Sequence, residues 1–306
     1  MSVVAAAPRV RLDAVAITIL VALCALWGLQ QVAIKVAVAN GLPPVLQAGL
    51  RSLVAALCVL GWIAAREGRG AVAALASRDT LLPGLLLAAL FALEFLVLFP
   101  GLSLTTASRG VVFLYTAPFF TALGAHLLLP AERMRPRQAA GLTIAFAGVA
   151  ATFAEGLLAG GGSLRGDLMC LAGGAMWGVS TVVVKASPAL ARAPSSKLLF
   201  LQLAGSAPPL LLGAWALGER LHVADVAPVA WAGLFYQTVI VAFISYLAWF
   251  RLVLIYPAGR VAGFTFLTPL FGILAGSLLL GEHASPALLV GLVAIATGMR
   301  LVNSRG

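Results

Sequence analysis

The stretch ALWG at residues 25–28, followed by Lys35, recurs as AMWG at residues 175–178, followed by Lys185. The two copies lie 150 residues apart in a chain of 306 residues, and each lysine stands at the same distance after its tryptophan. A motif that returns in this way indicates two structurally equivalent halves. In an apolar chain, such duplication is typical of secondary transporters, whose two halves enclose a site between them.

Later landmarks repeat in the same order. An arginine and a proline stand nine residues apart at Arg109 and Pro118, and again at Arg260 and Pro269. The series predicts a first repeat over residues 1–157 and a second over residues 158–306. Three leucines, a glutamate and a glycine complete it, as Leu127–Leu129, Glu132 and Gly141 and then as Leu278–Leu280, Glu282 and Gly291.

The composition makes lipid the natural solvent of the chain. Hydrophobic residues are 62% of the sequence and charged residues 10%, whereas a water-facing domain carries about 25% charged residues. A membrane-spanning helix needs about 20 apolar residues, and turn-forming residues divide the sequence into ten such runs. The predicted spans are 14–38, 44–65, 80–102, 108–130, 138–156, 167–187, 197–217, 228–250, 259–280 and 286–303.

The distribution of positive charge predicts the orientation. With the N-terminus inside, the cytoplasmic segments carry fourteen lysines and arginines, and the outer loops carry only Arg109, Arg165 and Arg220, so both termini are expected in the cytoplasm. Because five helices per half is an odd number, the second half enters the membrane from the other side. The predicted fold is an all-α polytopic protein of the inner (plasma) membrane, with ten transmembrane helices in two inverted five-helix repeats.

Several other classes of protein are not favoured. The net charge of +10 is scattered along the chain, so no nucleic-acid partner is expected. No phosphate-binding P-loop occurs, and the cysteines show neither metal-ligand nor disulfide spacing, so no cofactor or metal is predicted. A signal-peptide reading of residues 14–29 conflicts with the internal copy of that segment. The histidines are isolated and do not suggest an enzyme; they are His126, His222 and His283.

A set of motifs extends over almost the whole chain: Trp27-Gly28 with Lys35, Arg51 after Pro44, Pro118 before Glu132, Trp177-Gly178 with Lys185, and Pro269 before Gly281-Glu282. Together they resemble the EamA-type branch of the drug/metabolite transporter superfamily, and within it the chain is most similar to YddG-type exporters of aromatic and other amino acids. The resemblance implies ten helices in two five-helix repeats. The chain departs from the pattern at Pro130, which replaces a glycine, and at Ser206, near where a second arginine is expected.

One polar stripe runs along the first span of each half, because residues four apart share a helix face. The stripes are Trp27, Gln31 and Lys35, and Trp177, Thr181 and Lys185. The lysines lie near helix ends and are expected to reach the lipid headgroups. The tryptophans lie deeper, where an indole either packs between helices or flanks a cavity.

Arg51 and Glu94 are opposite charges at similar depth on consecutive spans. An unpaired charge in hydrocarbon costs at least ~2.5 kcal/mol on insertion scales, so both side chains are expected to face the interior. Two roles stay open: a static ion pair that locks the helices, or a site that meets the two charges of an amino-acid zwitterion. Glu94 is also the expected carrier if transport is coupled to protons.

Further candidates for the cavity lining are Gln47 and Gln202, for which packing is the alternative, and the aromatic or polar residues Tyr115, Phe119, Tyr236, Gln237 and Tyr246. Trp231 and Trp249 are expected in interfacial belts. Prolines within spans are expected to bend the helices and to act as gates, with purely structural kinks as the alternative; they are Pro118, Pro208, Pro209 and Pro269.

The function predicted from the sequence is a secondary transporter that exports small amphipathic metabolites, amino acids including aromatic ones, by alternating access through a central cavity. A channel or a lipid-handling scaffold is the alternative, and an intramembrane enzyme has less support. One chain supplies both repeats, so a monomer is expected in the lipid bilayer, with a dimer as the alternative.

Overall fold

The computed structural model describes residues 11–158, 162–281 and 287–304, and within these ranges all regular structure is helical. Eight helical segments in the described residues are long and apolar enough to cross a membrane, and Ala287–Asn303 is apolar but shorter. The chain is therefore built as a multi-pass membrane protein. Glu282, which completes the second copy of the repeated landmarks, and His283 lie outside the described residues.

The longer helices of the N-terminal half are α1 (Ala14–Ala39), α2 (Pro44–Arg66), α3 (Arg78–Leu104), α4 (Ala107–Leu114), α5 (Ala117–Leu128) and α6 (Pro136–Thr152). Those of the C-terminal half are α7 (Leu164–Ala186), α8 (Ser195–Ala216), α9 (Pro228–Ile255), α10 (Ala258–Gly263), α11 (Thr268–Leu280) and α12 (Ala287–Asn303). Short helices at Arg69–Ala73, Ala154–Leu158 and Pro188–Ala191, and 3-10 turns at Ala74–Ala76, Pro130–Glu132, Val223–Asp225 and Phe264–Leu267, lie between them.

Every predicted span is occupied by helical structure, with boundaries within five residues of those expected. Two spans are interrupted rather than bent. The fourth divides into α4 and α5, with Pro118 in the first turn of α5, and the ninth divides into α10 and α11, with Pro269 in the first turn of α11. A proline at a helix start costs no hydrogen bond, because the first backbone N–H groups of a helix have no partner within it.

The adjacent Pro208 and Pro209, which were expected to bend their helix, do not interrupt it. Both lie inside α8, which continues from Ser195 to Ala216. Each proline removes one backbone donor, but α8 packs along α2 and α3, and these contacts hold the helix together. Pro208 is exposed on the outer side of the bundle. Neither residue borders the central cavity.

The helix α9 contains a wide π-helical segment from Tyr236 to Ser245 that the sequence did not predict. α9 has 28 residues, whereas α3, its counterpart in the N-terminal half, has 27. A π-helical turn accommodates an additional residue without ending a helix, and such turns occur frequently at functional sites. The segment therefore accommodates the one additional residue of α9 within a continuous helix.

Equivalent helices pack against each other in opposite directions. A Cβ atom added at Gly141 of α6 would lie 2.6 Å from the carbonyl oxygen of Gly298 in α12, and one added at Gly291 would lie 3.0 Å from that of Gly148. The residue numbers rise along one helix as they fall along the other, so α6 and α12 run antiparallel. Glycines are needed at this crossing because a side chain would collide with the backbone opposite.

A second close contact occurs twice, once between α1 and α11 and once between the equivalent helices α7 and α5. A Cβ atom at Gly28 of α1 would lie 2.7 Å from the backbone nitrogen of Gly272 in α11, and one at Gly178 of α7 would lie 3.0 Å from that of Thr121 in α5. Gly28 corresponds to Gly178, and Thr121 corresponds to Gly272, in the repeated landmarks. These close contacts bring the neighbouring tryptophans, Trp27 and Trp177, to the space between the halves.

Candidate functional site

A cavity of about 390 Å³ lies between the two halves. Helices of both halves line it: α1, α3 and α4 from one, and α7, α8, α9 and α11 from the other. The residues predicted from the sequence that border it are Trp27, Gln31, Glu94, Tyr115, Trp177, Thr181, Gln202, Tyr246 and Pro269. Its volume and its mixture of aromatic rings with a few polar groups are those of a small-molecule site.

An aromatic floor forms the deep end of the cavity; it consists of Trp27, Trp177, Tyr246 and Trp249. Trp27 is its centre, with ring centroids 6.3 Å from Trp177, 5.9 Å from Tyr246 and 5.2 Å from Trp249, all edge to face. The indole Nε1 of Trp27 donates a hydrogen bond to Ser245 Oγ at 2.8 Å. Because its one polar atom is satisfied and its ring is packed on three sides, Trp27 is held in a fixed orientation.

The break between α4 and α5 places Tyr115 against the floor. α4 ends at Leu114, and Tyr115 follows with its ring centroid 5.8 Å from that of Trp177. Pro118 begins the next helix three residues later. The break thus lets an aromatic ring project into the cavity from a position where the helix has stopped.

Glu94 and Arg51 do not form a direct ion pair in this conformation. Glu94 on α3 borders the cavity and is 8% exposed, whereas Arg51 on α2 is 1% exposed and does not border it. The guanidinium carbon of Arg51 lies 4.7 Å from the ring centroid of Phe95 and 6.0 Å from that of Phe91. The Nε and Nη2 atoms of Arg51 are buried with no hydrogen-bond partner in the described part of the chain. Arg51 is therefore held by cation–π contacts. Its interaction with Glu94 is electrostatic and involves no hydrogen bond.

The two amides Gln47 and Gln237 turn away from the cavity. Gln47 Nε2 donates to the carbonyl oxygen of Leu42 at 2.6 Å, and Gln47 Oε1 accepts from Gln237 Nε2 at 2.9 Å. Both side chains are 1% exposed. Neither side chain borders the cavity, contrary to the prediction for Gln237, whereas Gln47 follows its alternative of packing between helices. The hydrogen bond between the two amides joins α2 to α9.

Phe119 and Tyr236 also pack elsewhere. The Phe119 ring contacts Phe146 and Phe266, with centroids 5.2 and 6.1 Å apart. The Tyr236 hydroxyl donates to the carbonyl oxygen of Leu26 at 2.9 Å, which ties α9 to α1. Their side chains stabilise contacts between helices and do not border the cavity, and the same holds for Pro118.

Several lining residues were missed or assigned elsewhere. Trp249, expected in an interfacial belt, is 7% exposed and belongs to the aromatic floor. It stands three residues after Tyr246 on the same helix face, which is the signal that could have found it. Lys35, expected among the lipid headgroups, borders the cavity, as does the buried amide Gln30.

Beyond the aromatic floor, on the side away from Lys35, an ionic network joins both halves. Lys185 forms an ion pair with Glu132 and donates to the carbonyl oxygen of Tyr256 at 2.7 Å. Glu132 Oε2 also accepts from the backbone N–H of Ala258 at 2.7 Å, and the Tyr256 hydroxyl donates to Asp13 Oδ2 at 2.7 Å. Lys185 was expected to reach the headgroups; instead a carboxylate from the other half holds it.

The other end of the cavity is open. Gln31, Lys35 and Ala107 belong to its lining and are exposed there. An ion pair at this end joins Arg109 to Asp167, but it ties α4 to α7 at the side. The cavity therefore leads from an exposed mouth to the aromatic floor, with the ionic network beyond the floor.

Residues 14–154 and 164–304 each match the model of the EamA-like transporter family. The chain belongs to this family. Among its relatives, the "Uncharacterized transporter YvbV" of Bacillus subtilis (strain 168) is 31% identical over 284 residues, which cover 92% of this chain and 88% of the relative. The "Probable amino-acid metabolite efflux pump" of Salmonella typhimurium is 28% identical and that of Escherichia coli (strain K12) is 28% identical, with 89% of each chain covered in both comparisons.

The fold is shared with a protein of known structure. A crystal structure aligns with 93% of this chain and 94% of its own at a TM-score of 0.76 and 19% sequence identity. The family and the relatives are transporters, so this chain is a membrane transporter and not an enzyme. No group of three or more histidine, cysteine or acidic side chains suited to a metal ion occurs within residues 11–158, 162–281 and 287–304.

Proposed function

We propose that the transporter exports small amphipathic metabolites, amino acids including aromatic ones, across the plasma membrane by alternating access through the central cavity. One observation carries the proposal: the aromatic cavity lies between the halves, open at one end and bounded at the other by the aromatic floor, beyond which the ionic network joins the halves. The two relatives described as amino-acid metabolite efflux pumps support the direction of transport and the class of solute.

The proposed membrane architecture is ten helices in two inverted repeats, residues 1–157 and 158–306, with both termini in the cytoplasm. The antiparallel crossing of α6 with α12 and the exchanged contacts at Gly28 and Gly178 support the inversion. The excess of positive charge on one side supports the orientation. In this orientation the mouth at Lys35 faces outward and the ionic network faces the cytoplasm.

Alternation then follows from rocking of one half against the other. Outward opening leaves the cytoplasmic ends of the halves joined by the Glu132–Lys185 ion pair and the Tyr256–Asp13 hydrogen bond. Inward opening separates those ends and closes the mouth. The interrupted helices, with Pro118 and Pro269 after the breaks, supply the places where the backbone changes direction.

Counterflow in reconstituted vesicles tests the function. Labelled aromatic and aliphatic amino acids are exchanged against an excess of unlabelled solute on the other side. A carrier gives saturable, stereoselective and competitor-sensitive flux, and Trp27→Ala lowers it because the centre of the aromatic floor is removed. Trp215→Ala is the matched control, since Trp215 is 67% exposed on the periphery. Flux that rises without saturation would favour the channel alternative.

A further inference from the structure

Glu94 is a buried carboxylate at the cavity surface without a partner. It is 8% exposed and borders the cavity, and no hydrogen bond or ion pair joins it to another side chain in the described residues. A carboxylate in a low-dielectric site is costly unless a proton or a cation compensates its charge. Arg51 offsets this charge only at a distance, and a group that pairs with Glu94 directly can reach it from the cavity that Glu94 borders.

The surroundings of Glu94 favour a cation. Tyr115 and Tyr246 line the same cavity as Glu94, and their ring centroids lie 5.8 Å from that of Trp177 and 5.9 Å from that of Trp27, respectively. Aromatic rings carry partial negative charge on their faces, so a ring cluster attracts an ammonium group and disfavours an anion. The carboxylate and the rings therefore act in the same direction.

The positive charges near the cavity are poorly placed for a substrate carboxylate at the same depth. Arg51 is 1% exposed and packs on Phe95, and it does not border the cavity. Lys35 lies at the mouth, eight residues beyond Trp27 along α1, which is about 12 Å at 1.5 Å per residue. A solute carboxylate at the depth of the aromatic floor therefore lies about two helical turns from the position of Lys35 along α1. The other polar groups at the deep end are neutral, namely Gln202, Ser180 and Thr181.

We propose that Glu94 and the aromatic floor form an ammonium site, so that the transported class is amphipathic primary amines. Glu94 accepts hydrogen bonds from the protonated amine, while the apolar part of the solute packs on the rings of Trp27 and Tyr246. Aromatic amino acids are one member of this class, and a free carboxylate is not required. This inference rests on the proposed function and narrows its substrate.

Competition in vesicles tests the inference. Counterflow of labelled phenylalanine and of labelled phenethylamine is measured against unlabelled phenylalanine methyl ester, N-acetylphenylalanine and 3-phenylpropionate. Unlabelled phenethylamine is added as a fourth competitor of labelled phenylalanine. Phenethylamine and the methyl ester are expected to compete, whereas the two compounds without an ammonium group are expected to compete at least about tenfold more weakly, the effect of one charge-assisted hydrogen bond. Strong competition by N-acetylphenylalanine or 3-phenylpropionate, with phenethylamine inert, would overturn the proposal.

Variants at Glu94 separate this inference from the function itself. Glu94→Gln is expected to lose the preference for amines by about tenfold or more, while Glu94→Asp keeps the preference with weaker affinity. Glu67→Gln is the matched control, because Glu67 is exposed at the far end of α2. If Glu94→Gln is unstable, thermal unfolding of purified Glu94→Asp is measured with and without phenethylamine, and the amine is expected to stabilise the protein. A Glu94→Asp protein that transports without preferring amines contradicts the inference, whereas the absence of saturable flux in the unmodified protein contradicts the proposed function.

Discussion

Arg51 and Gln202 occupy equivalent places in the two halves, each eight residues after a proline that caps its helix, Pro43 or Pro194. Glu94 and Ser245 are equivalent as well, each ten residues before the end of its helix at Leu104 or Ile255. One half therefore brings a cation and an anion to the centre, where the other brings an amide and a hydroxyl. Counted from the capping prolines, the position equivalent to Arg51 is Gln202, four residues before Ser206, near which a second arginine was expected.

The backbone contacts of the halves are duplicated, but their chemistry is not. Gly28 and Gly178 make matching contacts in exchanged positions, so both halves contribute equally to packing. In the proposed ammonium site, the charge that recognises a solute comes from the N-terminal half. Two matched scaffolds are consistent with the proposed rocking motion, and a single charged site would give the solute one orientation in the cavity. The two repeated lysines also have different surroundings: Lys185 belongs to the ionic network, whereas Lys35 lies at the mouth of the cavity.

The largest effect is expected at the ionic network. Glu132→Gln removes one partner of an ion pair whose side chains are each 13% exposed, and breaking a buried pair costs about 3 kcal/mol or more. The cytoplasmic closure weakens, and the equilibrium shifts toward the inward-open state by roughly a factor of 100. The measurement is labelling of Thr181→Cys from the cytoplasmic side, in a background without the native cysteines. Lys35→Met, at the other end, is expected to leave this labelling unchanged; equal labelling in both variants would show that the network does not close the cavity.

Arg51 is expected to contribute more to stability than Gln202, its neutral counterpart in the C-terminal half. Arg51→Gln removes cation–π contacts with Phe95 and Phe91 and the charge that offsets Glu94, which should lower stability by about 2 kcal/mol. Gln202→Leu should cost less, because the amide faces the cavity. Thermal unfolding in detergent measures both. Combining Arg51→Gln with Glu94→Gln should restore part of the loss, and strictly additive losses would show that the two charges are independent.

Packing, by contrast, should respond equally in the two halves. Gly141→Ala and Gly291→Ala each place a methyl group within 3.0 Å of the helix opposite, so each should cost about 1 to 2 kcal/mol through overpacking. Matched losses in thermal stability are expected. A loss confined to one variant would show that the crossing of α6 and α12 is not symmetric.

Helix positions were predictable because they depend on the lengths of apolar runs and on the residues that end them. Pro43 and Pro257 each precede a helix start, Pro228 is the first residue of α9, and Gly281 ends α11 with a left-handed backbone. The interruptions of the fourth and ninth spans were predicted only as bends. A proline within an apolar run signals a disturbance of the helix, but local hydrogen bonding decides whether the helix bends or restarts.

The cavity was predictable in part, because polarity shows that a residue faces the protein interior but not which neighbour it meets. Trp27, Gln31, Trp177 and Thr181 line the cavity as their spacing suggested. Gln47 and Gln237 are equally polar, yet they bond to each other across α2 and α9. The π-helical segment adds to the difficulty. One additional residue rotates the following side chains by about 100° around the helix, since an α-helix has 3.6 residues per turn.

The smallest effect concerns the neutral counterpart of Glu94. Ser245 Oγ accepts the indole hydrogen bond of Trp27 and donates to the carbonyl oxygen of Val241, so Ser245→Ala leaves one buried donor unsatisfied. A cost of about 1 kcal/mol in binding is expected, which is roughly fivefold in apparent affinity, with the preference for amines unchanged. Counterflow with phenylalanine and phenethylamine measures both properties. If Ser245→Ala altered the preference as strongly as Glu94→Gln, recognition would be shared between the halves, and the assignment of the charged site to one of them would fail.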